Sequence, residues 1–294
     1  MTPGSQRRLG NSSLFVGPIS YGCWRFAGTA KREAHEKIAT ALECGMNLID
    51  TADIYGFNGG EGSFGTSEEL LGKVLTAAPE LREQMVLATK GGIQPGVPYD
   101  STRTYLIAAC EQSLRRLNVD TIDLYQVHRP DVLCHPAEVA AALGELVASG
   151  KVRAVGVSNY TPSQLDALLA HAVVPLATSQ PEFSLWRYEA IDDGVLDRAM
   201  QHQLTPLAWS PLGRGAISDE TTPLGAAIAS CASRHGVSST AVALAWVMHH
   251  PSGAIPIIGT QRVDRIRDAA VATTVQLDRS EQYALLAAAG RHLP

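Results

Sequence analysis

The sequence has little that would place the protein outside the cell or in a membrane. Its 294 residues include only five cysteines, and this odd, widely scattered set does not resemble a disulfide framework. The longest apolar run, residues 241–248, is far shorter than the ~20 residues that a membrane-spanning helix needs. The first residues are not followed by the apolar segment of a signal peptide. We therefore expect a cytoplasmic protein that binds no membrane.

An excess of positive charge is also missing. The sequence has 24 basic and 29 acidic residues, which gives a formal net charge of -5. This charge gives no reason to expect nucleic acid as a partner. The G-x-S-x-G, Walker A and H-E-x-x-H motifs are absent as well, so the sequence lacks the signatures of α/β-hydrolases, P-loop nucleotide triphosphatases and zinc proteases. A small molecule is the expected partner, and the oligomeric state stays open.

One glycine-rich segment imitates a cofactor-binding motif. Residues 56–65 contain five glycines, and residues 60–65 match G-x-G-x-x-G. The dinucleotide fingerprint requires these glycines directly after a strand, whereas the nearest apolar run ends at Asp50. We therefore interpret the segment as a mobile loop that borders a substrate pocket.

What the sequence does contain is a regular alternation of short apolar runs and amphipathic segments. We predict eight strands, at residues 19–23, 47–50, 86–90, 122–128, 152–158, 177–180, 205–210 and 254–259. Helical patterns lie between them, for example at residues 32–44, 67–77, 102–117, 136–148 and 162–171. Eight such repeats within 294 residues favour an α/β fold, a (β/α)₈ TIM barrel that forms a single domain over residues 1–294.

Three segments fall outside this repeat. Residues 7–18 have the pattern of an N-terminal hairpin that covers the bottom of the barrel. Residues 223–249 contain two helical segments between the seventh and eighth strands. Residues 278–290 predict a C-terminal helix. We therefore expect a barrel with an added hairpin and with extra helices near the C-terminus.

Four reactive side chains lie at or just after the ends of predicted strands. Asp50, Lys90 and His128 each close an apolar run, and Tyr55 follows Asp50 by five residues. The C-terminal ends of the strands of such a barrel meet at one rim, which is where barrel enzymes carry their active sites. We therefore expect these four side chains to converge.

A proton-donating site follows from the chemistry of these residues. Tyrosine has an unperturbed pKa of about 10, and an ammonium group beside it stabilises the phenolate. Lys90 would lower the pKa of Tyr55 in this way, while Asp50 would keep Lys90 protonated. His128 would orient a carbonyl oxygen. Such a site protonates an oxygen that gains negative charge, which suits carbonyl reduction once a hydride is supplied.

These residues belong to a series of motifs that resembles the aldo-keto reductase superfamily. In chain order the motifs are Asp-Thr-Ala-Asp-Ile-Tyr at 50–55, Ser-Glu-Glu-Leu-Leu-Gly at 67–72, Ala-Thr-Lys at 88–90, Val-His-Arg-Pro at 127–130, Val-Gly-Val-Ser-Asn at 155–159, Ala-Trp-Ser-Pro-Leu at 208–212 and Ile-Pro-Ile-Ile-Gly-Thr at 255–260. The series covers nearly the whole chain in the family's order. The resemblance implies an NAD(P)H-dependent oxidoreductase that reduces aldehydes or ketones to alcohols, or runs the reverse reaction.

The resemblance also implies roles for individual residues. Asp50, Tyr55, Lys90 and His128 match the family's catalytic positions, with Tyr55 as proton donor and with no metal. The implied cofactor-binding residues are Ser158, Asn159 and Gln180 for the nicotinamide carboxamide, Trp209 for the nicotinamide ring, Ser210, Leu212 and Gly213 for the pyrophosphate, and Gly259, Thr260, Arg262 and Arg265 for the adenosine phosphate.

The chain departs from the family's common pattern in three places. Ser179 precedes Gln180 where many relatives have Asn, and Trp209 replaces the commoner Tyr or Phe. The last segment lacks a Lys-Ser pair that one branch of the family has. Arg262 and Arg265 would instead bind a 2′-phosphate, since arginine forms bidentate contacts with phosphate. We expect NADPH as the cofactor, with NADH as the alternative.

Two further groups of residues suggest binding. Trp24, Phe57, Trp186 and Tyr188 fall in predicted rim loops, where they would form apolar walls of a substrate pocket. Cys231 and His235 are four residues apart on a predicted helix, as metal ligands often are. No other ligand pair accompanies them, so we attribute this spacing to chance and expect no metal.

Three other functions stay open at this point. Lys90 at a strand end is also compatible with Schiff-base chemistry, although Asp50 would keep it protonated and therefore a poor nucleophile. A regulatory subunit that binds nicotinamide cofactor with little turnover is the second alternative. The third is an NAD(P)⁺-dependent dehydrogenase of alcohols or sugars, which would use the same four residues. The sequence does not identify the substrate or the physiological direction.

Overall fold

The strands of the computed structural model, which describes residues 6–57 and 64–294, form a closed parallel barrel and two small hairpins. In chain order the strands are β1 (Arg7–Arg8), β2 (Phe15–Val16), β3 (Ser20–Gly22), β4 (Leu48–Asp50), β5 (Val86–Gly91), β6 (Ile93–Gln94), β7 (Val97–Tyr99), β8 (Ile122–Val127), β9 (Val152–Ser158), β10 (Leu176–Gln180), β11 (Thr205–Ala208) and β12 (Ile255–Ile258). The barrel order is β3-β4-β5-β8-β9-β10-β11-β12, and β12 pairs with β3 to close it. The predicted barrel and its eight strands are confirmed.

Helices connect the barrel strands and surround them. They are α1 (Lys31–Glu43), α2 (Thr66–Ala77), α3 (Glu80–Glu83), α4 (Arg103–Leu117), α5 (Pro136–Ala148), α6 (Pro162–Leu169), α7 (Val195–Gln201), α8 (Pro223–His235), α9 (Ser239–Met248), α10 (Val263–Ala270) and α11 (Arg279–Ala288). The two extra helices after the seventh barrel strand are α8 and α9, and the C-terminal helix is α11. All three are confirmed.

Local sequence signals determine where several helices begin. The hydroxyl of Thr102 accepts a hydrogen bond from the backbone N–H of Tyr105 at the start of α4. At the start of α6, Thr161 and Gln164 form a capping box, and Pro162 occupies the first helical position. These caps satisfy backbone N–H groups that have no partner within the helix. The helices therefore begin close to the predicted positions.

The N-terminal hairpin of β1 and β2 covers the bottom of the barrel, as predicted. The backbone N–H of Gly10 donates to the hydroxyl of Thr205, the first residue of β11, over 2.8 Å. Leu9, Leu14 and Val16 pack in one buried apolar cluster with barrel residues such as Leu48. Because this packing closes the end where the strands begin, the opposite end is left for a functional site.

Within residues 6–57 and 64–294, no helix has both the length and the apolar character that crossing a membrane requires. The G-x-G-x-x-G match at residues 60–65 lies mostly outside this part, since only residues 64 and 65 belong to it. All five cysteines lie in the described residues, and all are free there.

Candidate active site

The four residues predicted to converge lie at the C-terminal rim of the barrel. Asp50 is the last residue of β4, Lys90 lies near the end of β5, and His128 directly follows β8. These three strands are hydrogen-bonded neighbours in the order β4-β5-β8. Tyr55 lies in the loop after β4 and is half-buried, whereas Lys90 is fully buried. Strand adjacency therefore brings the four side chains to one place.

The Lys90 ammonium group links this cluster. Its Nζ donates to Oδ2 of Asp50 over 2.7 Å, to the backbone oxygen of Thr51 over 2.8 Å, and to the hydroxyl of Tyr55 over 3.1 Å. All three hydrogen-bonding positions of the ammonium are occupied. Lys90 is therefore held in one orientation, with one of its protons directed at the phenol oxygen.

Charge and burial act in opposite directions on this pair. Burial acts to lower the pKa of Lys90, but the Asp50 carboxylate and the Tyr55 hydroxyl together leave that pKa raised, so Lys90 stays charged. Burial raises the pKa of Tyr55, and the smaller effect of the Lys90 charge acts to lower it. Lys90 thus acts on the pKa of Tyr55 in the predicted direction, but burial outweighs it and leaves that pKa above its ordinary value.

His128 contacts Tyr55 edge-on and stays neutral. The two ring centroids are 5.7 Å apart and the rings are inclined by 82°. Burial, with the charges of Lys90 and Arg129, holds the pKa of His128 well below its ordinary value. Its Nδ1 has no hydrogen-bond partner in the described structure. The site thus offers a neutral imidazole next to a phenol hydroxyl.

Asp50 is held by two amides as well as by Lys90. Its Oδ1 accepts from Nε2 of Gln180 over 3.1 Å and from Nε2 of Gln126 over 3.5 Å. The Gln126 side chain also accepts from the hydroxyl of Thr178 over 3.1 Å. Sequence reasoning missed Gln126, although it lies two residues before His128 and therefore on the same face of β8. A polar residue at that position within an apolar strand was the available signal.

Three of the predicted nicotinamide-binding residues form a connected group at the ends of β9 and β11. The amide of Asn159 donates to the hydroxyl of Ser158 over 2.8 Å and to the backbone oxygen of His128 over 3.1 Å. The carbonyl oxygen of Asn159 accepts from the indole nitrogen of Trp209 over 3.0 Å. Asn159 has a φ of 60°, which is uncommon for a residue other than glycine. This network fixes the orientation of the half-buried Trp209 ring.

The next predicted segment follows β11 as a tight irregular turn. Ser210 and Gly213 have φ values of 50° and 54°, both in the left-handed region. A Cβ atom at Gly213 would lie 2.6 Å from Cβ of Trp186, so only glycine fits there. Leu212 packs against the apolar core. The predicted pyrophosphate segment is thus held against the loop that follows β10.

The predicted phosphate-binding arginines lie at the start of α10. Gly259 and Thr260 follow β12, and the Thr260 backbone oxygen accepts from the hydroxyl of Tyr21 over 2.9 Å. Arg262 is the residue before α10, and Arg265 is in its first turn; both are exposed. Arg262 forms an ion pair with Asp264, with Nε 3.0 Å from Oδ1. Sequence reasoning did not anticipate this internal partner.

The predicted aromatic walls are exposed at the same rim. Trp24 follows β3, Phe57 follows β4, and Trp186 follows β10. Their exposed fractions are 57%, 37% and 47%. Exposed aromatic rings around a polar centre are typical of a ligand-binding cleft. The half-buried Tyr188 packs against the core instead.

A second buried polar cluster, also missed by sequence reasoning, lies beneath the site. Glu68, at the start of α2, accepts from the hydroxyl of Thr89 over 2.5 Å and from Nε of Arg116 over 2.7 Å. Asp53 is fully buried nearby, and its carboxylate oxygens have no partner in the described structure. Burial, followed by the charge of Glu68, raises the pKa of Asp53 well above its ordinary value. Burial and the neighbouring Glu68 charge therefore both favour the protonated form of Asp53.

Comparisons with known proteins point to one family over nearly the whole chain. A model of the aldo/keto reductase family matches residues 18–289. The chain is 50% identical to 6-dehydroglucose reductase of Novosphingobium aromaticivorans, over 99% of this chain and 98% of that protein. It is 37% identical to 6-dehydroglucose reductase of Agrobacterium fabrum, over 95% and 96% of the two chains.

A solved structure has the same architecture. It is a crystal structure of the thermostable aldo-keto reductase Tm1743 in complex with the inhibitor epalrestat. The TM-score is 0.84 and the identity is 26%, with 97% of this chain and 99% of that chain covered. The similarity therefore includes the barrel and its added elements.

Proposed function

The chain belongs to the aldo/keto reductase family, and from this premise we propose that it reduces an aldehyde or ketone with NADPH, using Tyr55 as proton donor. Carbonyl reduction with a nicotinamide cofactor is the activity of the family. The observation that supports the role of Tyr55 is its 3.1 Å hydrogen bond with the buried, charged Lys90. A cytoplasmic location and a single barrel domain belong to the same proposal.

Each of the four residues has a separate task in this mechanism. When NADPH is bound, it would supply the hydride, and the carbonyl oxygen would then gain negative charge and need a proton. Tyr55 donates its proton to that oxygen, while Lys90 stabilises the phenolate that remains. Asp50 keeps Lys90 charged and oriented. The neutral His128 donates a hydrogen bond from its imidazole N–H to the carbonyl oxygen and so orients the substrate.

The residues around Trp209 fit a nicotinamide group. Ser158, Asn159 and Gln180 provide amide and hydroxyl groups at adjacent strand ends, which match the donor and acceptor of a carboxamide. The Trp209 ring is held by Asn159 and only half-buried, so one side is accessible for stacking. We assign nicotinamide binding to these four residues, and contact with the pyrophosphate to Ser210, Leu212 and Gly213.

Features at the start of α10 support our proposal that the cofactor is NADPH rather than NADH. Arg262 and Arg265 are exposed there, and a helix N-terminus adds a partial positive charge that attracts phosphate. Gly259 and Thr260 lead the chain from β12 to this point. We assign the 2′-phosphate to Arg262 and Arg265. Binding at Arg262 requires that its ion pair with Asp264 opens or is shared with the phosphate.

The substrate that we propose is a sugar aldehyde. Two relatives are named 6-dehydroglucose reductase, and one of them is 50% identical over 99% of this chain. Trp24, Phe57 and Trp186 would provide apolar walls for such a substrate at the rim. Oxidation of the corresponding alcohol uses the same groups in reverse.

Schiff-base chemistry has little support in this geometry. A nucleophilic lysine must lose its proton, whereas the 2.7 Å contact with Asp50 favours the charged form of Lys90. A purely regulatory role does not require the complete hydrogen-bonded set of Asp50, Tyr55 and Lys90. Carbonyl reduction uses all of these groups.

The test compares several carbonyl substrates, and it compares the wild type with a variant that lacks the Tyr55 hydroxyl. NADPH consumption is followed by absorbance with 6-dehydroglucose and with small aldehydes and ketones, for the wild type and Tyr55→Phe. The proposal predicts turnover in the wild type, fastest with 6-dehydroglucose, and loss of turnover in Tyr55→Phe with unchanged NADPH binding. Tight NADPH binding without turnover on any carbonyl would support a regulatory subunit instead.

A further inference from the structure

Three side chains with metal-ligating atoms meet where α8 packs against α11. Cys231 and His235 are one helical turn apart on α8, and Glu281 lies in the first turn of α11. Sγ of Cys231 is 3.8 Å from Oε1 of Glu281. Nε2 of His235 is 3.0 Å from each of the two Glu281 oxygens. The three ligand groups lie within 4.8 Å of one another.

These separations are close to those around a tetrahedral zinc ion. Zinc bonds of about 2.3 Å to sulfur and about 2.0–2.2 Å to nitrogen or oxygen place neighbouring ligand atoms about 3.3–3.6 Å apart. The observed separation of 3.8 Å between sulfur and oxygen is slightly longer, and that of 3.0 Å between nitrogen and oxygen is slightly shorter. The third separation, between the sulfur and the imidazole nitrogen, is at most 4.8 Å, so side-chain rotations that bring these two atoms closer would place the three groups around one ion.

The donor set also has the right chemistry and access. A thiolate, an imidazole and a carboxylate are the ligands that zinc prefers. The thiolate and the carboxylate together balance the charge of a divalent ion. Cys231 is buried, while the side chains of His235 and Glu281 keep 25% and 16% of their surface exposed. Solvent can thus reach the site and supply a water as the fourth ligand.

Arg234 is a nearby positive group that opposes a cation. Its guanidinium lies 3.1 Å from Oε1 of Glu281. An ionised carboxylate has about four acceptor positions on its two oxygens, so Glu281 can bind Arg234 and a metal together. Glu281 also accepts from the backbone N–H of Asp278 and so caps α11. These bonds hold the carboxylate in place before any ion arrives.

We propose that Cys231, His235 and Glu281 form a binding site for zinc or a similar divalent ion, which ties the C-terminal helix α11 to α8. We attributed the spacing of Cys231 and His235 to chance because no other ligand pair accompanies them in the sequence. Glu281 supplies that ligand from 46 residues further along the chain. The site uses none of the residues that we assign to catalysis or cofactor binding.

The site should bind metal more tightly at higher pH. A metal binds the thiolate of cysteine and must therefore displace the thiol proton of Cys231, so binding competes with protonation. Zinc binding to the folded chain should also raise its melting temperature, since the unfolded chain does not hold the three ligands together.

Titration of the full-length protein with Co²⁺, as a coloured substitute for Zn²⁺, tests the proposal directly. We expect tetrahedral visible bands and a near-ultraviolet sulfur-to-cobalt band in the wild type, both removed by adding Zn²⁺. Cys231→Ser should abolish the sulfur band, and His235→Gln should weaken Zn²⁺ binding by at least about tenfold. Cys44→Ser, which changes a different free cysteine, should leave both signals unchanged.

Other results would overturn the proposal. Absence of the sulfur-to-cobalt band in the wild type would leave the cluster as an ion pair only. A band that persists in Cys231→Ser would place the metal at another thiol. His235→Gln serves as the independent variant if Cys231→Ser does not fold, and Zn²⁺ binding unchanged by that substitution would also contradict the site.

Discussion

The Nζ atom of Lys90 lies 3.1 Å from the Tyr55 hydroxyl and donates a hydrogen bond to it. The same ammonium lies 4.8 Å from the centre of the Tyr55 ring. Because Lys90 is fully buried, its charge acts on the phenol with little screening by solvent. The lysine is thus placed to stabilise the phenolate at the moment when Tyr55 releases its proton.

Lys90→Met should reduce both turnover and stability. Without the ammonium group, the phenolate loses its stabilising charge, and we expect kcat to fall by about 10²–10⁴-fold. Asp50 would be left buried and unpaired, which costs about 3–5 kcal/mol. Steady-state kinetics and urea unfolding measure the two effects separately.

The double variant Asp50→Asn/Lys90→Met is the control for this prediction. It removes both charges of the buried pair, so most of the lost stability should return. Turnover should stay low, because the phenolate still lacks its cation. Recovery of turnover together with stability would show that Lys90 acts only in folding.

Because His128 is buried in its neutral form, we expect the protein to lose stability in weak acid. Burial keeps the pKa of His128 well below the value of about 6.5 that the unfolded chain has. The unfolded state therefore binds more protons once the pH falls below about 6.5, so stability is complete above that pH and decreases below it. The free energy of urea unfolding, measured across this range, should decrease less steeply in His128→Gln than in the wild type. His35→Gln, on α1, serves as the control; equal pH dependence in all three proteins would contradict this explanation.

Arg116 should be essential for stability, whereas Arg103 should not. Glu68 is fully buried, and Arg116 is its charged partner at 2.7 Å. Arg116→Met would leave a buried carboxylate without that cation and should cost about 3–5 kcal/mol. Arg103 forms an ion pair with Glu145 in which both side chains are largely exposed, and Arg103→Met should cost less than about 1 kcal/mol. Equal losses of unfolding free energy in Arg116→Met and Arg103→Met, measured with urea, would contradict this prediction.

Arg262 and Asp264 should set the preference between the two cofactors. Loss of a charge-assisted contact in Arg262→Ala should weaken NADPH binding by about ten- to a hundredfold and leave NADH binding nearly unchanged. Asp264→Asn should tighten NADPH binding, because the competing partner of Arg262 is neutralised. Dissociation constants from fluorescence titration provide the measurement. Arg267→Ala, on the same helix, is the control and should affect neither cofactor; equal weakening of both cofactors in Arg262→Ala would oppose the assignment.

The barrel could be predicted from the sequence because the signals for its strands and helices are local in the chain. Apolar runs predicted the eight strands, and residues such as Thr102 and Thr161 marked the starts of helices. The meeting of Asp50 with Lys90 then followed from topology, since neighbouring parallel strands end at one rim.

The features that were missed depend on contacts between distant segments. Gln126 reaches Asp50 across 76 residues, and Glu281 reaches His235 across 46. The net shift of the Tyr55 pKa depends on how deeply the folded chain buries the phenol, which no sequence motif states. The pairing of Arg262 with Asp264 depends on side-chain geometry at the start of α10. Pairing and burial of this kind are properties of the folded chain.

The central claim is that Tyr55 supplies the proton, and a single-turnover experiment tests it most directly. Wild type and Tyr55→Phe are each saturated with NADPH and mixed with the best aldehyde substrate, and cofactor absorbance is followed through one turnover. If Tyr55 is the proton donor, the rate should be about 10²–10⁴-fold lower in Tyr55→Phe, with an unchanged NADPH dissociation constant. Equal single-turnover rates in the two proteins would contradict it.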